Sequence, residues 1–206
     1  MTGAPPLTLQ IYTGAALTPW LADIARLRIQ VFRDWPYLYD GDAAAEQRYL
    51  QTYVDVPGAM VVLCRDADRV VGASTALPLT AETDEITAPF RAQGHRLDRI
   101  LYCGESVLDP RYRGHGIGVR FFEERERHAR ALPGIDMMAF CAVQRRANDP
   151  RRPPSHVPLD TFWQRRGFVS HPELRTTMSW REIGEAEESP KPMQFWLKSL
   201  AAESST

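Results

Sequence analysis

The sequence predicts a single mixed α/β (α+β) domain, and three observations carry that prediction. Short apolar runs rich in β-branched residues alternate with segments of helical periodicity, in the order strand, helix, helix, hairpin, strand, helix, strand, helix, strand. No internal repeat is visible, which sets aside solenoids and propellers. The chain has 206 residues, 44% hydrophobic and 25% charged, enough to bury one substantial core.

Leu7 to Thr13 alternates apolar Leu7, Leu9 and Ile11 with polar neighbours, a half-buried strand that Gly14 closes. Thr18-Pro19 offers an N-cap and a first-turn proline, and Leu21, Ile24, Leu27, Arg28 and Val31 follow at helical spacing until Trp35-Pro36. A second helix is expected from Ala43 to Tyr53 behind Asp40-Gly41-Asp42. Ala59–Cys64 and Val70–Leu77 read as a hairpin, residues 80–94 as a short helix or ordered loop, and Ile100–Leu108 as one strand ended by Asp109-Pro110. A helix spans Gly116 to Leu132 and an apolar strand Ile135 to Val143. An arginine-rich loop, Gln144–Val157, precedes a short helix with Leu159, Phe162 and Trp163 inward. Strands are expected at Gly167-Phe168-Val169 and Leu174–Ile183. Residues 1–183 are then the domain, and 184–206 an acidic linker with an apolar segment that folds back on the domain or docks on a second copy, giving a monomer or a homodimer.

Lys and Arg number 25 against 26 Asp and Glu, a net charge of -1, so there is no basic field for nucleic acid and no polybasic membrane anchor. Cys64, Cys103 and Cys141 lie apart in apolar segments, as free thiols of a reducing compartment do. The first basic residue is Arg26, unlike the charged start of a signal peptide, and the apolar runs are too short to cross a bilayer. A cytoplasmic location is expected. None of the five histidines forms a metal-binding spacing, so no metal is expected.

The chemistry concentrates in Glu105-Ser106-Val107-Leu108-Asp109-Pro110-Arg111-Tyr112-Arg113-Gly114-His115-Gly116-Ile117-Gly118, a strand, a glycine-crowded turn and a helix start. Glycines here let a ligand approach the backbone, and the free N–H groups of the first helical turn favour an anion such as a phosphate. The Gly-Lys-Ser/Thr ending of a P-loop is absent, and the segment is not the first βαβ unit of a dinucleotide fold.

These residues resemble motif A of the GNAT superfamily of acetyl-CoA-dependent N-acetyltransferases, whose Q/R-x-x-G-x-G/A signature is met by Arg113, Gly116 and Gly118. Phe162-Trp163-Gln164-Arg165-Arg166-Gly167-Phe168 is similar to the family's later helix-to-strand element. The resemblance implies a mostly antiparallel sheet with a splayed strand pair, flanked by helices. It implies that backbone groups of Val107 and Leu108 bind the pantetheine arm of CoA, that Arg113, Gly114, His115, Gly116, Ile117 and Gly118 wrap the pyrophosphate, and that the Leu108 N–H polarises the thioester.

Glu105 is the candidate for binding or deprotonating the amine. Trp163 stands where many members carry a tyrosine proposed as general acid, and an indole has no proton to give, so it becomes a wall of the channel. His156 is a candidate cofactor contact, and the loop arginines Arg145, Arg146, Arg151 and Arg152 are candidates for the CoA 3′-phosphate. Trp35, Tyr37, Tyr39 and Asp40, between the first two helices, are the candidate acceptor site, with aromatic faces and carboxylates suited to a cationic amine. The predicted function is transfer of an acetyl group from acetyl-CoA to a primary amine of a small molecule or peptide. The alternative is a non-catalytic CoA-binding module.

Overall fold

Alternate residues of single strands feed two separate cores. The computed structural model describes residues 7–201, and eight strands form its sheet: β1 (Thr8–Tyr12), β2 (Met60–Asp66), β3 (Arg69–Pro78), β4 (Ile100–Tyr102), β5 (Ser106–Leu108), β6 (Met137–Val143), β7 (Val169–Trp180) and β8 (Ser189–Ser199). On β2, Val61 and Leu63 point to one face while Met60, Val62 and Cys64 point to the other, and all five are buried. The first face is covered by α1 (Leu21–Phe32), α2 (Ala43–Asp55) and α3 (Asp84–Ala92), which contribute Ile24, Leu27, Leu50, Tyr53, Ile86 and Phe90. The second is covered by α4 (Ile117–Ala131), through Ile117, Phe121, Phe122 and Ala129, and by the short α5 (Asp160–Gln164).

The strand order is β1-β2-β3-β4-β6-β8-β7, with β5 paired to β3 alone. Every pairing is antiparallel except β4 with β6. The strand expected over Ile100–Leu108 is therefore two. Its first half lies between β3 and β6; after Cys103-Gly104-Glu105 its second half leaves β6 and stays with β3, opening the sheet between β5 and β6. The break falls at Gly104, where a Cβ would lie 2.2 Å from the Tyr53 hydroxyl and 2.7 Å from Thr75 Oγ1.

Four other expectations are corrected. The first helix starts at Leu21, because Gly14–Trp20 winds as a 3₁₀ segment around Pro19. The two strands expected around Phe168 and Leu174 are one, β7, whose register shifts between His171 and Arg175. Leu159 is 52% exposed rather than inward. The boundary at residue 184 dissolves, since the segment assigned to a linker contains β8, seated between β6 and β7 with Phe195 and Trp196 buried on opposite faces. Both side chains are buried within the fold of one chain.

Candidate active site

The turn from β5 into α4 is built by local chemistry. The Asp109 carboxylate accepts from Arg111 N–H at 3.1 Å, capping a 3₁₀ turn at Pro110–Tyr112. The Arg111 guanidinium, 2.6 Å away, is the main reason its carboxyl is held down to about 2. Gly114 and Gly116 take φ of +81° and +76°, a region closed to most side chains, and Gly116 is the N-cap of α4. Space above both glycines is open, so the N–H groups of the first turn are accessible to an anion. His115 turns back, its Nδ1 lying 2.9 Å from the Arg113 carbonyl oxygen.

From that turn a cleft of about 410 Å³ runs through the opening between β5 and β6. On the α4 side it is lined by Arg113, Gly118, Phe121, Phe122, Arg125, Phe140, Phe162 and Trp163; on the α1 side by Val31, Phe32, Trp35, Tyr37, Glu105 and Cys141. Thr75 N–H donates to Glu105 O at 3.0 Å and Asp109 N–H to Val71 O at 2.9 Å. The alternation of an antiparallel ladder then gives Val107's backbone to Ala73 as well, and turns the N–H and C=O of Ser106 and Leu108 to the open edge. Leu108 faces the cleft with its backbone, whereas Val107 is committed to β3 and its side chain to the core. Ser106 presents the other free backbone edge.

Glu105 belongs to a buried network. Its carboxylate lies 2.6 Å from Arg28 Nη1 and accepts from the Tyr49 hydroxyl at 3.0 Å, while Arg28 is also paired with Glu46. Tyr49 and Tyr53 hydroxyls are 2.9 Å apart, and Thr75 Oγ1 donates to Tyr53 at 3.2 Å. Arg28 packs over the Tyr49 ring at 4.4 Å. Burial pushes the Tyr49, Tyr53 and Tyr37 phenols well above their ordinary range, so all three stay protonated. The same cause raises the Cys103 thiol and pushes Cys141 up to about 12, which removes a thiolate nucleophile from the cleft wall.

The aromatic residues expected at the acceptor site divide. Trp35 and Tyr37 line the cleft, and His156 meets Trp35 edge-on at 6.0 Å between ring centroids. Burial lowers the His156 pKa, with Arg152 adding to the effect, which favours neutral imidazole. Tyr39 and Asp40 lie outside the cleft lining: Asp40 pairs with Arg181 at 2.9 Å and Arg33 at 3.6 Å, and the Tyr39 phenol is raised to about 12, chiefly by burial and further by nearby Glu46. Trp163 is a wall, packed against Phe140 and Trp196 with centroids 5.1 Å away in each case. The loop arginines are also partly committed: buried Glu182 takes Arg145 and Arg151, each at 2.5 Å.

Sequence reasoning missed Ser106, the tyrosine pair, Glu182 and Arg125. Arg125 had a signal, since Gly118, Phe121, Phe122 and Arg125 follow the spacing of one helical face. Among the described residues no three His, Cys, Asp or Glu side chains form a metal-binding group, and no helix is long and apolar enough to cross a membrane.

The sheet is thus opened between two neighbouring strands, with a glycine-started helix at the mouth of the opening. The sequence model described as the Acetyltransferase (GNAT) family matches residues 24–153, and the chain belongs to that family. Solved structures share its fold. Arabidopsis thaliana NAA60 in complex with acetyl-CoA superposes with a TM-score of 0.59 at 12% identity, covering 96% of this chain and 100% of that one. An acetyltransferase of the GNAT family from Streptococcus pneumoniae gives 0.59 at 13%, covering 94% and 99%. An acetyltransferase from Thermus thermophilus gives 0.53 at 16%, covering 96% and 99%. No curated protein sequence matches the chain.

Proposed function

We propose that the protein is an N-acetyltransferase that transfers the acetyl group of acetyl-CoA directly to a primary amine of a small molecule or peptide. The observation that carries this reading is the cleft through the sheet, which offers an anion site and an unpaired strand edge on one side and a carboxylate with aromatic walls on the other. The first-turn N–H groups of α4 at Gly116, Ile117 and Gly118, with Arg113 on the cleft wall, suit a pyrophosphate. Gly114 and His115 shape that turn. The free backbone edge of Ser106 and Leu108 suits the amides of a pantetheine arm, and the Leu108 N–H is the donor for the oxygen on which charge grows during attack.

On the opposite face, Glu105 attracts the acceptor's ammonium group, with Trp35 and Tyr37 packing against its carbon frame. Arg28 and Tyr49 hold the Glu105 carboxylate in place. Trp163 supplies no proton, and with a thiol pKa near 8.5 the CoA sulfur leaves without full protonation.

Thermal melts with and without acetyl-CoA test the reading. A ligand at 100 times its Kd stabilises by about 2.7 kcal/mol, a rise of roughly 5–10 °C at this size, which Gly116→Glu should abolish while the ligand-free variant still melts cooperatively. No rise in the parent protein would overturn the assignment. Multiple turnover with an amine then separates an enzyme from a CoA-binding module.

A further inference from the structure

Arg125, on the third turn of α4, is 2% exposed and lines the cleft. A guanidinium cannot shed its charge, so burial demands a partner. Buried Arg28 has two carboxylates, Glu46 and Glu105. Arg125 has none within 4 Å among the described residues: Nη1 makes one long hydrogen bond, 3.5 Å to the Glu105 carbonyl oxygen, Nε makes none, and the group lies 4.3 Å from the Phe122 ring centroid. Its position therefore calls for an anion brought by the ligand.

That anion is not the pyrophosphate. Ile117 opens α4 beside the anion site, and eight residues of helix carry Arg125 about 12 Å further along the axis. Gly118, Phe121 and Phe122 line the cleft between them, so Arg125 stands deeper in the cleft than the anion site, beside the Glu105 carbonyl, where the sheet parts. A molecule that starts with phosphates at Gly116 reaches this level with its thioester and acyl group.

We propose that Arg125 binds a carboxylate at the far end of the acyl group, so that, beyond the acetyl transfer proposed above, the cleft also takes CoA thioesters of short dicarboxylic acids as donors and binds them more tightly than acetyl-CoA, which leaves the guanidinium unpaired. This rests on the reading of the cleft as a CoA-thioester site. The chemistry is otherwise unchanged: the amine nitrogen bonds to the thioester carbon, the carbon–sulfur bond breaks, the nitrogen gives up a proton, CoA departs with the electron pair on sulfur, and the distal carboxylate is carried intact into the amide.

Calorimetric titration of the full chain with CoA, acetyl-CoA, malonyl-CoA, succinyl-CoA and glutaryl-CoA tests this. At least one carboxylated thioester should bind roughly tenfold or more tightly than acetyl-CoA, the effect of one charge-assisted pair. Arg125→Met should bring that ratio to about one while binding of CoA itself is unchanged, and Arg125→Lys should keep part of it. The parent protein's ratio stands whether or not a variant folds. Acetyl-CoA binding as tightly as every carboxylated thioester would overturn the inference and leave the CoA assignment standing, as would a preference that survives in a folded Arg125→Met. Failure of CoA itself to bind would overturn both.

Discussion

Glu82 keeps its proton further up the pH scale than a carboxyl in water does, at about 7, chiefly because burial disfavours the anion and secondarily because Glu105 repels it. The Thr83 N–H, 3.3 Å from Glu82 Oε2, pulls the other way and is outweighed. An unfolded chain releases this proton near pH 4.3, so the folded state binds more protons between there and pH 7. Stability from this group is fully present below about pH 4.3 and is lost as pH rises through about 7. Denaturant melts from pH 5 to 8 should show the parent losing roughly 1–3 kcal/mol relative to Glu82→Gln, and parallel profiles would contradict the assignment. The neighbouring network is read differently at the same scale. Glu105 stood out in the sequence because of its place before the glycine turn, but Arg28, Tyr49 and Tyr53 come from two helices distant in sequence, and no local pattern marked them as its partners.

Among the connecting segments, Glu182 acts as a clasp. Its buried carboxylate takes Arg145 and Arg151 from the loop after β6, and Arg145 in turn donates to the Pro36 carbonyl oxygen at 2.7 Å and the Tyr37 carbonyl oxygen at 3.3 Å. Trp180 Nε1 donates to Tyr37 O at 3.0 Å from β7. The loop after β6 and, through Arg145, the Pro36–Tyr37 segment of the cleft wall are thus tied to one carboxylate, while Trp180 adds a bond to the same Tyr37 carbonyl. Removing one partner of a buried pair costs about 3 kcal/mol, so Glu182→Ala should lower the melting temperature by roughly 6–12 °C and raise KM for the amine more than for the thioester. An unchanged amine KM would show that the clasp does not shape the acceptor site. The loop entering α4 was readable beforehand because cap, proline and glycines act within a few residues. β8 was not, because Pro190 and Pro192 argue against a strand; they sit where β8 pairs with β7 alone, before β6 joins at Met193.

The sheet as a whole depends on that late strand. β8 supplies the neighbour of β6 on one side and of β7 on the other, and it places Phe195 in one core and Trp196 in the other. A chain ending at Gly184 should therefore lack a cooperative melt and near-ultraviolet dichroism; a folded monomer of that length would contradict the topology. The mixed α/β class and most elements could be read from periodicity, yet the parting of the sheet could not. Ile100 to Leu108 is continuously strand-like, and only the competition between β3 and β6 for its two halves divides it.

That parting leaves β1, β2, β3 and β5 on one side and β4, β6, β8 and β7 on the other, joined within the sheet by two residue pairs, Leu77 with Tyr102 and Pro78 with Leu101. Mechanically the sheet is two plates sharing a short seam. A guest that hydrogen-bonds to the free edge of one plate while packing against the other would close the rift along its length, so occupancy should stiffen the molecule most along β5 and β6, the two strands that have no bond to each other without it.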